Sequence, residues 1–384
     1  MLTGLYLHIP FCLAKCYYCD FNSFAGFGEK EKEEYLQALI NEARSYSRLF
    51  GEAGVSAEIS LASVYFGGGT PTCLSGGQLC FLFQQLRKIF LIEEEAEITI
   101  EGNPGTLDLN KLKALNEGGF NRLSLGIQSF RSEGLKILGR VHTVAESRQA
   151  VSMARKAGFI NVGIDLMYGL PGQELQDWQA DLQEALALAP EHISLYQLNI
   201  EEGTPFYQKL LKGELREFPD EQAVEMYEEA RRILGEAGYH HYEISNFALP
   251  GRESRHNQLY WSNKEYLGLG SGAAGYWQGI RYCNKENLAE YIASVAQGEL
   301  PRGEEEVIDA ELQLAEAVFL GLRLTAGLNK GEFYQRYGVS LSERFGQTIN
   351  KLAQAGLLAD DSHRIFLTER GRNLANLVMM EFLP

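Results

Sequence analysis

The first 200 residues alternate short apolar segments with longer amphipathic ones, and this rhythm constrains the fold more than any other feature. The apolar segments, which predict β-strands, are 4–10, 63–67, 97–101, 122–128, 161–167 and 192–198. The amphipathic segments, which predict helices, are 29–50, 75–90, 109–117, 145–157 and 175–189. Successive β-α units predict a parallel sheet with helical crossovers. The pattern fits a partial (β/α) barrel and a doubly wound sheet equally well.

Length, charge and the opening residues limit the classes of protein that this chain can belong to. The 384 residues suffice for a large domain and a smaller one. The net charge of −16, from 51 acidic and 35 basic residues, argues against a nucleic-acid partner. The start of the chain resembles no signal peptide, and no segment approaches the roughly 18 apolar residues of a membrane-spanning helix. We therefore expect a soluble, cytoplasmic protein.

After about residue 201 the rhythm changes. Residues 220–235 predict an amphipathic helix, whereas 239–280 are rich in aromatic residues and glycines, which predicts irregular surface. From about residue 303 a helix, two apolar runs around a polar turn and a final helix resemble a winged-helix module. This segment is not strongly basic, so we expect it to serve packing or interaction rather than DNA binding. The expected domains are 1–215 with the parallel sheet, 216–300 packed on it, and 301–384.

Cys12, Cys16 and Cys19 follow the first predicted strand with the spacing C-x3-C-x2-C. Thiolates at this spacing can wrap one cluster on a short loop. Ordinary [4Fe-4S] clusters take four cysteines, so three would leave one iron free to bind a substrate. A zinc site with His8 as fourth ligand is an alternative, although His8 precedes the triplet on a strand, unlike the usual paired arrangement. Unrelated structural cysteines would have to place three of the chain's six within eight residues by chance.

The cysteine loop resembles the signature of the radical S-adenosylmethionine (SAM) superfamily. The resemblance implies a [4Fe-4S] cluster on Cys12, Cys16 and Cys19, whose open iron binds the amino and carboxylate groups of SAM. It also implies that an electron from the cluster cleaves SAM to a 5′-deoxyadenosyl radical. The implied fold is α/β, a partial (β/α)6 TIM-like barrel of the radical SAM type. We expect it to carry a smaller, mainly helical, winged-helix-like C-terminal domain.

Polar residues near the carboxyl ends of the predicted strands are candidate SAM contacts, because a barrel places its chemistry there. Residues 67–71 resemble the GGxTP segment with which the superfamily contacts the amino group of SAM. Each candidate alone fits a turn, a helix cap or core packing as well. Together they supply the donors and acceptors that a carboxylate, a ribose and an adenine require. The expected SAM-binding residues are Tyr6, Tyr18, Gly68, Gly69, Thr70, Glu101, Gln128, Arg140 and Asp165.

Several segments between residues 6 and 261 resemble the oxygen-independent coproporphyrinogen III oxidase branch of the superfamily, and in particular its HemW-type members. The segments are YLHIPFCLAKCYYCDFNS, YFGGGTPT, ITIEGNPG, RLSLGIQSF, LGRVHT, IDLMYGLPGQ and HNQLYW. The cysteine loop of the oxidase resembles the pattern C-x3-C-x2-C-x-C. This chain instead has Phe21 at the position of the fourth cysteine. The oxidase also has an N-terminal extension, whereas only five residues precede Tyr6 here. Both departures favour the HemW type.

His256 begins the sequence HNQLYW, which resembles the HNxxYW motif of HemW-type proteins. These proteins are regarded as haem chaperones. Histidine is a common axial ligand of haem and aromatic rings can flank a porphyrin, so the resemblance implies that His256 binds haem. The alternative is a surface histidine beside packing aromatics, Tyr260 and Trp261. In this view 1–215 is the barrel with the cluster loop, 216–300 carries the haem motif, and 301–384 is HemN-like.

The function that we expect is a haem chaperone that delivers haem to apo-haemoproteins, including membrane respiratory enzymes. Its expected cofactors are the cluster, SAM and haem, and an electron donor is a further expected partner. The resemblance assigns no catalytic residue. Two alternatives are an oxygen-independent coproporphyrinogen III oxidase and a radical SAM enzyme that acts on another tetrapyrrole.

Overall fold

A twelve-stranded sheet forms the centre of the structure, a computed structural model that describes residues 3–52 and 60–384. In chain order the strands are β1 (Gly4–Ile9), β2 (Phe11–Cys12), β3 (Phe24–Ala25), β4 (Ser60–Gly68), β5 (Leu91–Gly102), β6 (Arg122–Gln128), β7 (Val162–Tyr168), β8 (His192–Gln197), β9 (His240–Glu243), β10 (Asn246–Ala248), β11 (Tyr266–Leu269), β12 (Ala274–Trp277), β13 (Ile280–Asn284), β14 (Arg302–Val307), β15 (Leu328–Asn329), β16 (Leu358–Asp360) and β17 (Arg364–Leu367). The helices are α1 (Glu29–Glu52), α2 (Gly76–Ile89), α3 (Leu109–Glu117), α4 (Ser132–Leu138), α5 (Val144–Ala157), α6 (Leu175–Ala187), α7 (Pro205–Leu211), α8 (Asp220–Glu236), α9 (Arg255–Trp261), α10 (Leu288–Ala296), α11 (Ala310–Gly321), α12 (Lys330–Tyr337), α13 (Leu341–Gln354), α14 (Glu369–Asn373) and α15 (Ala375–Met380).

The middle of the sheet confirms the predicted β-α rhythm. Strands β1, β4, β5, β6, β7 and β8 pair in parallel in this order, and the helices α1 to α6 connect them. These strands read as nearly continuous apolar runs because both of their faces are largely buried. The predicted strand positions are confirmed, although β4 and β5 begin before residues 63 and 97. Parallel pairing brings the carboxyl ends of all these strands to one edge.

The prediction of irregular surface at 239–280 was wrong, because much of this segment extends the sheet at both edges. Strand β10 pairs antiparallel with β8 and with β9. The chain then crosses through α9 to the opposite edge, where β11 pairs in parallel with β1 and β12 to β14 follow antiparallel. Strands of three to six residues give little periodic signal in a sequence, and here the edges of the parallel sheet supply their partners.

Glu42 on α1 ties the added strands to the parallel sheet. Its carboxyl group is fully buried and accepts hydrogen bonds from the Gly270 backbone N–H at 2.9 Å, from Asn284 Nδ2 at 2.7 Å and from the Tyr291 hydroxyl at 2.6 Å. Burial raises the pKa of Glu42 to about 7, although the three donors oppose this shift. Buried polar groups need such partners, so α1, β13 and α10 are held in one arrangement.

The C-terminal residues form a second hydrophobic core, which extends from Ala317 to Phe382. Helix α13 and strands β16 and β17 around the turn at 361–363 follow one another as the sequence predicts, whereas two short helices, α14 and α15, stand where one final helix was predicted. Strand β15 completes a three-stranded sheet in the order β15-β17-β16. The domain boundaries at 215 and 300 stay predictions. Among the helices of the two described ranges, none has an apolar stretch long enough to cross a membrane.

Candidate functional site

A cavity of about 450 Å³ lies between the cysteine loop and the carboxyl ends of the parallel strands. This volume falls in the range of small-molecule sites. The predicted cluster and SAM residues that line it are Cys12, Cys16, Tyr18, Cys19, Gly68, Gly69, Thr70, Glu101, Gln128, Arg140 and Asp165. Parallel strands therefore bring together residues that lie up to 153 positions apart in the chain, from Cys12 to Asp165. Their individual roles stay predictions.

Each of the three loop cysteines has a polar neighbour near its sulfur. The contacts are Cys12 Sγ to Thr70 Oγ1 at 3.6 Å, Arg140 Nη1 to Cys16 Sγ at 3.4 Å, and Cys19 Sγ to Ser23 Oγ at 3.9 Å. Burial raises the pKa of the Cys12 and Cys19 thiols. A bound metal would reverse this preference, because coordination deprotonates a thiol. Donors beside the sulfurs would then stabilise the thiolates.

The cysteine loop fits a cluster better than it fits a single zinc ion. Within the ranges that the structure describes, no three His, Cys, Asp or Glu side chains converge closely enough to hold one metal ion. Thiolates that bind different irons of a cluster need not converge on one point. His8, the fourth ligand of the zinc alternative, has Nε2 at 2.7 Å from Asn22 O and Nδ1 at 3.1 Å from the Tyr6 hydroxyl. Both of its ring nitrogens therefore have protein partners.

The glycine segment after β4 packs directly against the cysteine loop. The Gly69 backbone N–H donates to Ile9 O at 2.9 Å. A Cβ atom on Gly69 would lie 2.9 Å from Phe11 O and 3.0 Å from Cys12 Sγ, distances at which the neighbours must move. Gly68 has φ +110°, a backbone conformation that only glycine adopts without strain. The glycines are therefore required where two loops of the site touch.

We expect Gly69→Ala to lower the iron and sulfide content of the reconstituted protein severalfold, because the new methyl group would displace the backbone that carries Cys12. Gly346→Ala is the matched control, since a Cβ on Gly346 in α13 would meet no atom within 4 Å. Iron and sulfide per chain are measured for both variants. Equal contents would contradict the role of this close approach.

Two carboxyl groups face the cavity from β5 and β7. Loss of water and the nearby charge of Asp165 together raise the pKa of Glu101 to about 7, although the Tyr65 hydroxyl, which donates to Glu101 at 2.7 Å, opposes the shift. Burial also raises the pKa of Asp165, which accepts hydrogen bonds from Ser124 Oγ at 3.3 and 3.4 Å. Ionised carboxylates accept hydrogen bonds, so both groups suit the ammonium or hydroxyl donors of a ligand.

Gln128 and Arg140 line the cavity, and each has a buried polar atom that finds no hydrogen-bond partner within the described chain. Gln128 has φ +71°, which is uncommon for a residue other than glycine, and its Oε1 is buried without a hydrogen bond. Arg140 Nε is likewise buried without a hydrogen bond. Buried polar groups cost free energy unless they are paired, so an unpaired donor and an unpaired acceptor favour a polar ligand here. The cavity thus fits SAM beside a cluster.

Tyr6 does not line the cavity. It lies beside Tyr65 on β4, with 6.2 Å between the ring centroids, and its hydroxyl contacts His8 Nδ1. Its predicted contact with SAM stays a prediction.

His256 lies near the beginning of β4, far along the strands from the cysteine loop. Its side chain is 1 % exposed, Nδ1 is 2.8 Å from Ser63 Oγ, and Nε2 is 2.7 Å from the Tyr260 hydroxyl. Burial, together with the charge of Arg122, lowers the pKa of His256 to about 3, so the ring is neutral. Its predicted role as a haem ligand stays a prediction. An iron could reach either nitrogen only after α9 moves.

Sequence reasoning missed several residues of the cavity. Asn103 lines it two positions after Glu101, and Tyr196, Gln197 and Asn199 line it at the end of β8. The rule that a parallel sheet places its chemistry at the carboxyl ends of its strands applies to β8 as well. That rule, carried through to the last strand, identifies Tyr196, Gln197 and Asn199 in the sequence.

Comparisons with known proteins agree with this geometry. Residues 6–185 match the family model of the Radical SAM superfamily, and residues 308–374 match that of the HemN C-terminal domain. Coproporphyrinogen III oxidase (HemN) from Escherichia coli, a solved structure, aligns with a TM-score of 0.85 and 26% identity over 99% of this chain and 90% of that chain. This likeness confirms the predicted α/β, HemN-like radical SAM fold.

The curated relatives point to one group within the superfamily. The heme chaperone HemW of Bacillus subtilis is 40% identical over 383 residues, which are 100% of this chain and 99% of that protein. The heme chaperone HemW of Haemophilus influenzae is 34% identical over 99% of this chain and 97% of that protein. Since such identity extends from end to end, the chain belongs to the HemW family of radical SAM proteins.

Proposed function

We propose that this protein is a haem chaperone, which binds haem and delivers it to apo-haemoproteins. The observation that carries the proposal is the end-to-end similarity to proteins named heme chaperone HemW. Membership in the radical SAM superfamily brings a [4Fe-4S] cluster and SAM as cofactors. We place the delivery in the cytoplasm, with apo-haemoproteins and an electron donor as partners. Clients bound to a membrane would be reached through protein contacts.

In this proposal Cys12, Cys16 and Cys19 would hold the cluster, and three thiolates would leave one of its four irons without a protein ligand. When bound and reduced, the cluster would supply an electron for chemistry on SAM. The Arg140 guanidinium attracts the SAM carboxylate, because the two charges are opposite and the site is largely removed from water. Glu101 accepts hydrogen bonds from the ammonium or hydroxyl groups of SAM.

A second candidate function, coproporphyrinogen III oxidation, is favoured by the likeness to the Escherichia coli oxidase. Phe21 argues against it. Where the oxidase is expected to have a fourth cysteine, this chain presents a phenylalanine ring that is 63 % exposed and lines the cavity. An apolar ring can contact a ligand but cannot take the place of a thiolate.

The test is a transfer experiment with the reconstituted protein, loaded with haem and mixed with a purified b-type apo-haemoprotein. We expect saturable binding of haem and a shift of the Soret band to that of the client. Haem released passively is measured with an apo-globin in place of the client. Transfer no faster than passive release would contradict the proposal. Formation of protoporphyrinogen that depends on SAM and a reductant would favour the oxidase instead.

A further inference from the structure

Asn103 joins two loops of the site that both reach the cluster cysteines. It follows β5, and its Nδ2 donates to Thr70 Oγ1 at 2.8 Å. Its Oδ1 accepts from Arg140 Nη2 at 2.5 Å. Asn103 lines the cavity, yet neither of these contacts is with a cysteine. Its influence on a cluster would therefore pass through Thr70 and Arg140.

The orientation of the Asn103 amide follows from its neighbours. A guanidinium has donors only, so the Asn103 atom beside Arg140 is the carbonyl oxygen and the NH₂ group faces Thr70. Thr70 Oγ1 accepts from that group, which leaves the hydroxyl proton for another acceptor. Cys12 Sγ lies 3.6 Å from Thr70 Oγ1. A cysteine that ligates a cluster is a thiolate and can only accept. The donors thus point in one direction, from Arg140 through Asn103 and Thr70 to Cys12.

The same guanidinium reaches a second sulfur, because Arg140 Nη1 donates to Cys16 at 3.4 Å. Arg140 Nη2 also donates to Gly126 O at 2.5 Å, which holds the guanidinium in place. Thr70 is 2 % exposed, so the relay to Cys12 is shielded from water. Hydrogen bonds in such surroundings are electrostatically stronger than in water.

We propose that Asn103 is a positioning residue that directs the Thr70 hydroxyl toward Cys12 and thereby raises the reduction potential of the cluster. Hydrogen bonds to the sulfurs and nearby positive charge are among the factors that set cluster potentials. Both favour the reduced state, because it carries one more negative charge. The inference rests on the cluster that the proposed function also uses.

The test is a redox titration of the reconstituted full-length protein without SAM, followed by the EPR signal of the reduced cluster. We expect Asn103→Ala to lower the equilibrium constant for reduction by roughly tenfold, which is about 59 mV for a one-electron couple. Asn103→Asp should lower it further. Its carboxylate adds negative charge and accepts a hydrogen bond from the Thr70 hydroxyl, so that Cys12 loses that donor. The other carboxylate oxygen can still accept from Arg140. Asn103→Asp decides the question where Asn103→Ala loses its cluster.

Thr70→Val provides the control for the path of the effect. In this background the hydroxyl is gone, so Asn103→Ala should cause a clearly smaller further shift. An equal shift in both backgrounds, or a wild-type potential in Asn103→Asp with full iron and sulfide content, would overturn the inference. The two proposals fail separately. If the wild-type protein holds no cluster after reconstitution, the cluster on which both proposals depend is refuted. If the variants have an unshifted potential, only the role of Asn103 is refuted.

Discussion

Cys16→Ser should abolish the visible absorbance of the reconstituted cluster and the EPR signal of its reduced form. A [4Fe-4S] cluster with only three protein ligands has no spare thiolate, so the loss of one leaves two irons without a protein ligand. Cys16 is also the sulfur that accepts directly from Arg140. Serine keeps the volume and the hydrogen-bonding capacity of the side chain, but its hydroxyl is a poor ligand for iron. Iron and sulfide per chain give the quantitative measure, and we expect both to fall close to zero.

Cys283→Ser is the matched control for this prediction. Cys283 lies on β13, where its thiol donates weakly to Gly272 O at 3.6 Å. A serine hydroxyl can make the same contact, so this variant should keep the spectrum and the iron content of the wild type. A complete cluster in Cys16→Ser would refute the assignment of the three ligands. Loss of the cluster in Cys283→Ser as well would show that the reconstituted fold, rather than the ligand, is sensitive to the exchange.

The parallel sheet could be predicted from the sequence because burial on both faces leaves a continuous apolar run in each strand. The 122–128 strand and the 109–117 helix are predicted with the bounds that the structure has. The strands at the sheet edges could not be predicted in this way. Strand β11 has only four residues, too few to show a clear period in the sequence. It forms because β1 offers an edge with which it can pair. Such pairing depends on the fold as a whole.

The cavity could be predicted because the carboxyl ends of parallel strands meet at one edge, wherever they lie in the chain. The same reasoning does not give the direction of a side chain within the sheet. Tyr6 is the partner of Tyr65 in the register of β1 and β4, and its ring stays beside that neighbour. Resemblance to the HNxxYW motif suggests a role for His256 but does not show that its side chain is buried. Asn103 was missed because its importance lies in contacts with Thr70 and Arg140, distant in sequence.

His256→Gln should weaken haem binding by at least about tenfold, or roughly 1.4 kcal/mol, through loss of the predicted axial ligand. Glutamine is chosen because it offers one donor and one acceptor, which can replace the hydrogen bonds of the ring to Ser63 and Tyr260. His256→Ala is a poorer test. It would leave the fully buried Ser63 hydroxyl without a partner, at a cost of about 1–3 kcal/mol, and would also remove the partner of the partly buried Tyr260 hydroxyl. Haem titrations followed by the Soret band measure the affinity, and thermal unfolding shows whether the fold is kept.

Tyr260→Phe separates ligation from access to the same site. It keeps the imidazole but removes the partner of Nε2, so that this nitrogen is free, while the contact of Nδ1 with Ser63 on β4 is kept. If iron binds His256 through Nε2, this variant should bind haem faster than the wild type and at least as tightly, because no hydrogen bond to Nε2 has to break, whereas His256→Gln binds weakly. Wild-type affinity in a folded His256→Gln would contradict the assignment. Haem would then have to bind without this imidazole, and the exposed ring of Phe21 at the cysteine cavity becomes the place to probe, since Phe21→Ala would be expected to lower the affinity.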